Sequence, residues 1–215
     1  AFPPDSRAEL WVRWLAVGVL LLGAVRLFTL EQRSEFSRGP IDNASGTAVL
    51  LALAERLHAQ GLGHTDVWLV ATGSKSSWMA GMRHLLRSQE IDKKHTYFLN
   101  VAHVGAGELR YVTREGLMHA FRSDPEIVKA ALAGVVASGA DETEYRWPPT
   151  DAFIPLARGY KAMSVVGVDS DDLPIHWTLS DTRAQIDYAD LARAADYVET
   201  IVRNLDSSGP NRPST

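Results

Sequence analysis

The 215-residue chain contains no cysteine. Disulfides and thiolate metal sites are therefore excluded, and any metal would have to be held by histidine and carboxylate. An excess of positive charge is also missing, with a formal net charge of −4 and a pI near 6.0. Nucleic acid is therefore not an expected partner. No internal repeat is visible. Gly105-Ala106-Gly107 lacks the further glycine and helix start of a dinucleotide fingerprint, and neither a Gly-x-Ser-x-Gly elbow nor a phosphate loop occurs. What is present is 46% hydrophobic and 22% charged residues, enough for one domain with a sizeable core and an appendage. Because the chain opens on Ala1 rather than Met, it reads as processed or as a fragment of something longer.

The appendage is N-terminal. Residues 1–7 read as a loop, residues 8–30 as a transmembrane helix and residues 31–38 as a charged linker. Trp14 to Val25 carries no polar side chain but is too short to span a bilayer, which takes roughly 20 residues; counting Leu10 to Leu30 reaches that length. Arg13 and Arg26 stand where long side chains snorkel, and Trp11 and Trp14 suit an interfacial belt. Gly18 and Gly23 lie on different turns and allow close approach of another membrane helix. A buried or interfacial helix is the competing reading, whereas a signal peptide is disfavoured because no small-residue cleavage site follows. Arginines at both ends leave the orientation undetermined.

Residues 39–206 form the domain proper. Gly39-Pro40 breaks the chain, Asp42 or Asn43 suits a helix cap, and Val49, Leu50, Leu53, Ala54 and Leu57 recur at helical spacing. Strands are expected at 66–72, 96–101, 109–113, 143–147 and 161–168. Helices are expected at 76–88, 124–137, 151–158 and 188–205, followed by a disordered tail over 207–215. Strands alternating with helices imply an α/β domain with a mostly parallel central sheet.

The stretch Asp42-Asn43-Ala44-Ser45-Gly46, opening an Ala/Leu-rich helix, resembles the signature of the M28 family of zinc aminopeptidases. The resemblance implies a three-layer fold over residues 39 to about 205, truncated on its N-terminal side, and a metal-bridging role for Asp42. It also exposes replacements. Where the family has two adjacent glutamates, a general base and a zinc ligand, this chain has Lys75 and Ser76. A cation at the base position repels a metal and accepts no proton while charged. Asn100-Val101-Ala102-His103-Val104-Gly105 is similar to the family's Asn-x-Asp-x-x-Gly segment, with Ala102 in place of the carboxylate. Strand alternation would turn His103 to the opposite face, packed or at the surface. The closing motif, His-Thr-x-x-Asp-Thr, is matched by Asp181-Thr182, which puts Trp177 at the ligand position and His176 one residue out of register as a remnant candidate. No counterpart of the family's His-x-Asp strand stands ahead of Gly39.

Those replacements imply a degenerate, membrane-anchored pseudopeptidase. No catalytic residue and no cofactor are expected, and Asp181 and Thr182 revert to a brace and a cap. Such a domain would serve as a structural or binding subunit of a membrane complex. Its expected partners are the lipid bilayer and other membrane subunits or further copies of itself. It would be a single-pass protein with the domain on the periplasmic or extracellular side. The alternative is an active M28 aminopeptidase that binds zinc through Asp42, His176 and residues from a missing segment or a partner chain.

Overall fold

The computed structural model describes residues 7–33, 38–171 and 181–208. His176, Trp177 and the expected tail lie outside the described residues, apart from Ser207 and Ser208. The chain divides into two units, residues 1–36 and 37–215.

The first unit is one helix, α1 (Arg7–Arg33). Its stretch Arg7–Gln32 is long and apolar enough to cross a membrane, with an 18-residue window of mean hydropathy 1.8. By length and composition a signal sequence or a core helix passes the same test. Trp11 and Trp14 are exposed, and Arg13 donates to Glu9 one turn earlier at 2.5 Å. Added Cβ atoms at Gly18 and Gly23 would meet nothing within 4 Å.

The second unit begins with a π-type turn (Pro40–Ser45) that runs into α2 (Gly46–Gln60). The helix α3 (Ala80–Ser88) and the strands β1 (Tyr97–Ala102), β2 (Glu108–Glu115) and β3 (Phe121–Arg122) follow. Then come α4 (Pro125–Leu132), α5 (Val135–Ser138), β4 (Asp141–Tyr145), α6 (Phe153–Ala157), β5 (Lys161–Val168) and α7 (Tyr188–Ser208). The expected helix over 124–137 is two helices. They are parted at Gly134, whose N–H donates to the Ala131 carbonyl three residues back at 3.0 Å, and the Tyr197 ring packs 3.0 Å from where a Cβ would stand.

The sheet has the order β1-β5-β2-β3, with β4 also pairing β2. β1 with β5 and β2 with β4 are parallel, whereas β2 with β5 and β2 with β3 are antiparallel. The sheet is therefore mixed rather than mostly parallel. Residues 108–115 return directly after β1 and insert beside β5 from the opposite direction, which strand-helix alternation alone does not encode.

Helices cover both faces. Val101, Leu109, Tyr111, Met163 and Val165 meet α2, α4 and α7 on one side, while Phe98 and Ala162 meet α3 and α6 on the other. Strand alternation accounts for this division. The register between β2 and β4 shifts between Val112 and Arg114. That irregularity turns Glu115 toward Ser164 and the face of Ala102 and Val166.

The expected strand at 66–72 does not form. The residues run without helix or strand, and Trp68, Leu69 and Val70 are exposed. A continuous apolar run carries strand propensity, but a strand exists only when a neighbour pairs with it.

Candidate functional site

Three loops converge at one end of β1. The opening loop is fixed by Asp181, whose two carboxylate oxygens accept from the N–H groups of Ile41 and Asp42 at 2.8 and 3.2 Å. The Asp42–Asn43 peptide is cis. The Asn43 side chain then acts as an extra peptide unit beside β1, donating to the Val101 carbonyl and accepting from the His103 N–H, each at 3.0 Å. Gly46 permits this approach, since a Cβ there would stand 2.5 Å from the Val101 carbonyl oxygen. Ser45 is occupied with its own turn, donating to the Ile41 carbonyl at 2.7 Å.

The second loop presents Lys75. Ser74, Trp78 and Met79 have φ of 58°, 57° and 53°, left-handed values that cost a non-glycine residue on the order of 1 kcal/mol each. The turn displaces the start of α3 to Ala80, four residues beyond the expected start at 76. The third loop carries His103, also left-handed with φ of 62°. Because the strand ends at Ala102, alternation no longer governs His103, and its ring turns into the site rather than away from it.

The result is a compact trio. Lys75 Nζ lies 3.1 Å from Asp42 Oδ1 and 2.8 Å from His103 Nε2, and His103 Nε2 lies 3.1 Å from the same Asp42 oxygen. His103 is fully buried, and burial is the largest influence lowering its pKa, with Lys75 pushing the same way and Asp42 opposing. A neutral imidazole has a lone pair for the lysine, so the ammonium donates to both the ring nitrogen and the carboxylate. Ser76 is exposed on the same turn, and Ala102 is buried at the strand end.

A second polar cluster flanks the trio. Glu115 is fully buried, accepting from the Thr150 N–H at 2.5 Å and from Ser164 Oγ at 2.8 Å. Burial raises its pKa; those hydrogen bonds and the Lys75 charge act in the opposite sense. Asp151 accepts from Thr72, and its pKa is likewise raised by burial against the pull of Thr72 and Lys75. The Tyr145 hydroxyl is buried with no hydrogen-bond partner among the described residues, and burial drives its pKa up. Glu115 escapes motif reading, although a carboxylate at the end of a strand and just before Gly116 was a visible signal for it.

Among the described residues, the donors gathered here do not by themselves suit zinc. Asp42 and His103 are two ligands where such sites use three or four, and a lysine ammonium stands between them. No group of three or more His, Asp or Glu poised to hold a metal occurs among the described residues.

A match to the family described as Peptidase family M28 spans residues 25–202. The chain belongs to this family. Solved aminopeptidase structures share the fold. BSAP, a zinc aminopeptidase from Bacillus subtilis, superposes with a TM-score of 0.65 at 21% identity over 79% of this chain and 43% of its own. The aminopeptidase from Aneurinibacillus sp. strain AM-1 gives 0.60 at 22% over 79% and 40%. The LapA aminopeptidase of Legionella pneumophila gives 0.60 at 11% over 79% and 48%. This M28 chain thus spans less than half the length of those structures. No curated protein matches it by sequence.

Proposed function

We propose that this M28 domain is a membrane-anchored pseudopeptidase, a structural or binding subunit of a membrane assembly rather than a hydrolase. The observation that carries the reading is the Lys75 ammonium, held 3.1 Å from Asp42 and 2.8 Å from His103. An internal cation neutralises the carboxylate, excludes a second cation by repulsion and supplies no base for activating water. α1 is the proposed bilayer anchor, with Trp11, Arg13, Trp14 and Arg26 as its interfacial residues. The domain is assigned to the periplasmic or extracellular side, following the family resemblance.

The test is metal stoichiometry. Purified full-length protein incubated with zinc and then desalted should retain close to none and should leave aminoacyl-amide substrates intact. One or two zinc ions per chain with amide hydrolysis would establish the second reading, an active zinc aminopeptidase, which family membership and the aminopeptidase neighbours favour. The anchor is tested separately. Leu20→Arg should move the protein out of the membrane fraction, because a charge at the bilayer centre costs roughly 2.5–3.5 kcal/mol on insertion scales. Unchanged fractionation would reject the anchor.

A further inference from the structure

We propose that Val67–Ala71 forms an antiparallel β ladder with the same segment of a second copy of this chain, about a two-fold axis at Leu69. The proposal rests on the reading of the domain as a subunit of an assembly, and it names the partner.

The segment has the composition of a central strand and the surroundings of none. Val67, Trp68, Leu69, Val70 and Ala71 are uncharged and apolar on both faces, yet Trp68 is 67% exposed and Leu69 and Val70 are each 39% exposed. Among the described residues, none of the five makes a backbone–backbone hydrogen bond. None of the usual edge protections occurs within it, neither proline nor lysine nor any other charge. Lipid covers apolar side chains but satisfies no N–H or C=O group, so a bilayer surface is a poor occupant. A second extended backbone satisfies both demands at once.

Two-fold antiparallel pairing suits this segment in particular. With Leu69 opposite itself, Trp68 faces Val70 and Val67 faces Ala71, giving the aromatic with β-branched cross-strand pair that stabilises ladders. The nearest charge, Asp66, faces Thr72 rather than a second carboxylate, so no like charges meet. Such a contact is isologous and closes at two copies. A slip of one residue would reverse every side chain's face and lose these pairings. Anchoring by α1 would confine copies to one surface and raise their effective concentration.

The cysteine-free sequence makes the test direct. Full-length protein in lipid nanodiscs or mild detergent, carrying Leu69→Cys alone, should form a covalent dimer at least about tenfold faster than Val67→Cys alone. Position 69 meets its own copy at disulfide range, whereas two copies of position 67 lie roughly 13 Å apart along the ladder. Mixing the Val67→Cys protein with Ala71→Cys protein should restore fast cross-linking. Leu69→Lys should convert the dimer to monomer in native mass measurements.

A monomer at all concentrations, equal cross-linking at 67 and 69, or a dimer indifferent to Leu69→Lys and held by α1 would each overturn the ladder. So would a different protein found cross-linked at residue 69. Zinc retention and amide hydrolysis in a protein that still cross-links at 69 would reject the pseudopeptidase reading and leave the ladder standing. A zinc-free protein that fails to cross-link would reject the ladder alone.

Discussion

The two faces of the sheet are built on different principles. On the face covered by α2, α4 and α7, Val49, Leu53, Ile127, Tyr197, Val198 and Ile201 are almost completely buried, and the Tyr197 hydroxyl donates to the Ala131 carbonyl at 3.1 Å. Apolar area and one satisfied polar tip suffice there. On the opposite face and at the end of β1, the interior contains Glu115, Asp151, His103, Asp42 and Lys75, reached through left-handed residues at 74, 78, 79 and 103. The first face is where the domain gains its stability. The second is where ionic and hydrogen-bonding groups are gathered, and they are kept in partnership there because a buried charge left without a partner is costlier than one kept in a pair.

The largest test of that contrast is Ile201→Ala, which empties a fully buried site and should lower unfolding free energy by about 2–5 kcal/mol in denaturant titrations. A loss under about 1 kcal/mol would mean that the helical face is not the principal core.

Lys75→Met should cost less, about 1–3 kcal/mol, since it strips the cation from Asp42 and His103 while Lys75 and Asp42 retain partial exposure, 22% and 15% of their side chains. Unchanged or increased stability would show that the trio is held together by neighbouring packing rather than by charge.

The smallest effect is Glu115→Gln, and its sign depends on pH. Burial raises the Glu115 pKa above the ordinary 4.5, so the unfolded chain releases this proton first, and the stabilising contribution of the protonated form is lost as pH rises through the folded-state value. The variant should therefore gain on the wild type as pH increases above about 4.5, and the difference should flatten once the native carboxyl ionises. His103 works in the other direction. Its depressed pKa makes stability fall as pH drops below the ordinary 6.5, and His103→Gln should remove that acid-side slope in urea midpoints measured from pH 7 to 5.

Much of this arrangement could be read from residue order. Lys161–Val168 forms the expected strand end to end, β1 shifts by one residue, and the loop–helix unit at Asp42 runs from Pro40 to Gln60 as the chain break and periodicity suggest. Neither Asp42 nor Asn43 caps the helix, however: Ser45 stands at the cap without a side-chain cap bond, and the Asn43 side chain is taken by β1. Lys75, singled out in the sequence, does lie in the cluster with Asp42 and His103. What could not be read depends on partners distant in sequence. Residues 66–72 have strand composition but no ladder, because pairing belongs to two segments. His103 faces Asp42 only because β1 stops at Ala102 and the backbone turns left-handed, an event without a side-chain periodicity. Glu115 becomes an interior group through a register shift against β4, and its partners Thr150 and Ser164 lie 35 and 49 residues away. The direction of β2 against β5 likewise depends on how the chain returns, not on its pattern.

At the far end of α7, Asp206 accepts from the N–H groups of Gly63 and His64 at 2.8 and 2.7 Å. Burial alone would raise its pKa, but those two donors and Thr65 hold it below the usual range. Ten residues along, the Gly81 N–H reaches back to the Gly73 carbonyl at 3.1 Å. The apolar segment between these two fastenings is thus held at both ends. A segment whose two ends are fastened has less freedom left to surrender when something lies down beside it, so part of the ordering entropy of about 1–2 kcal/mol per residue that opposes strand association has been met during folding.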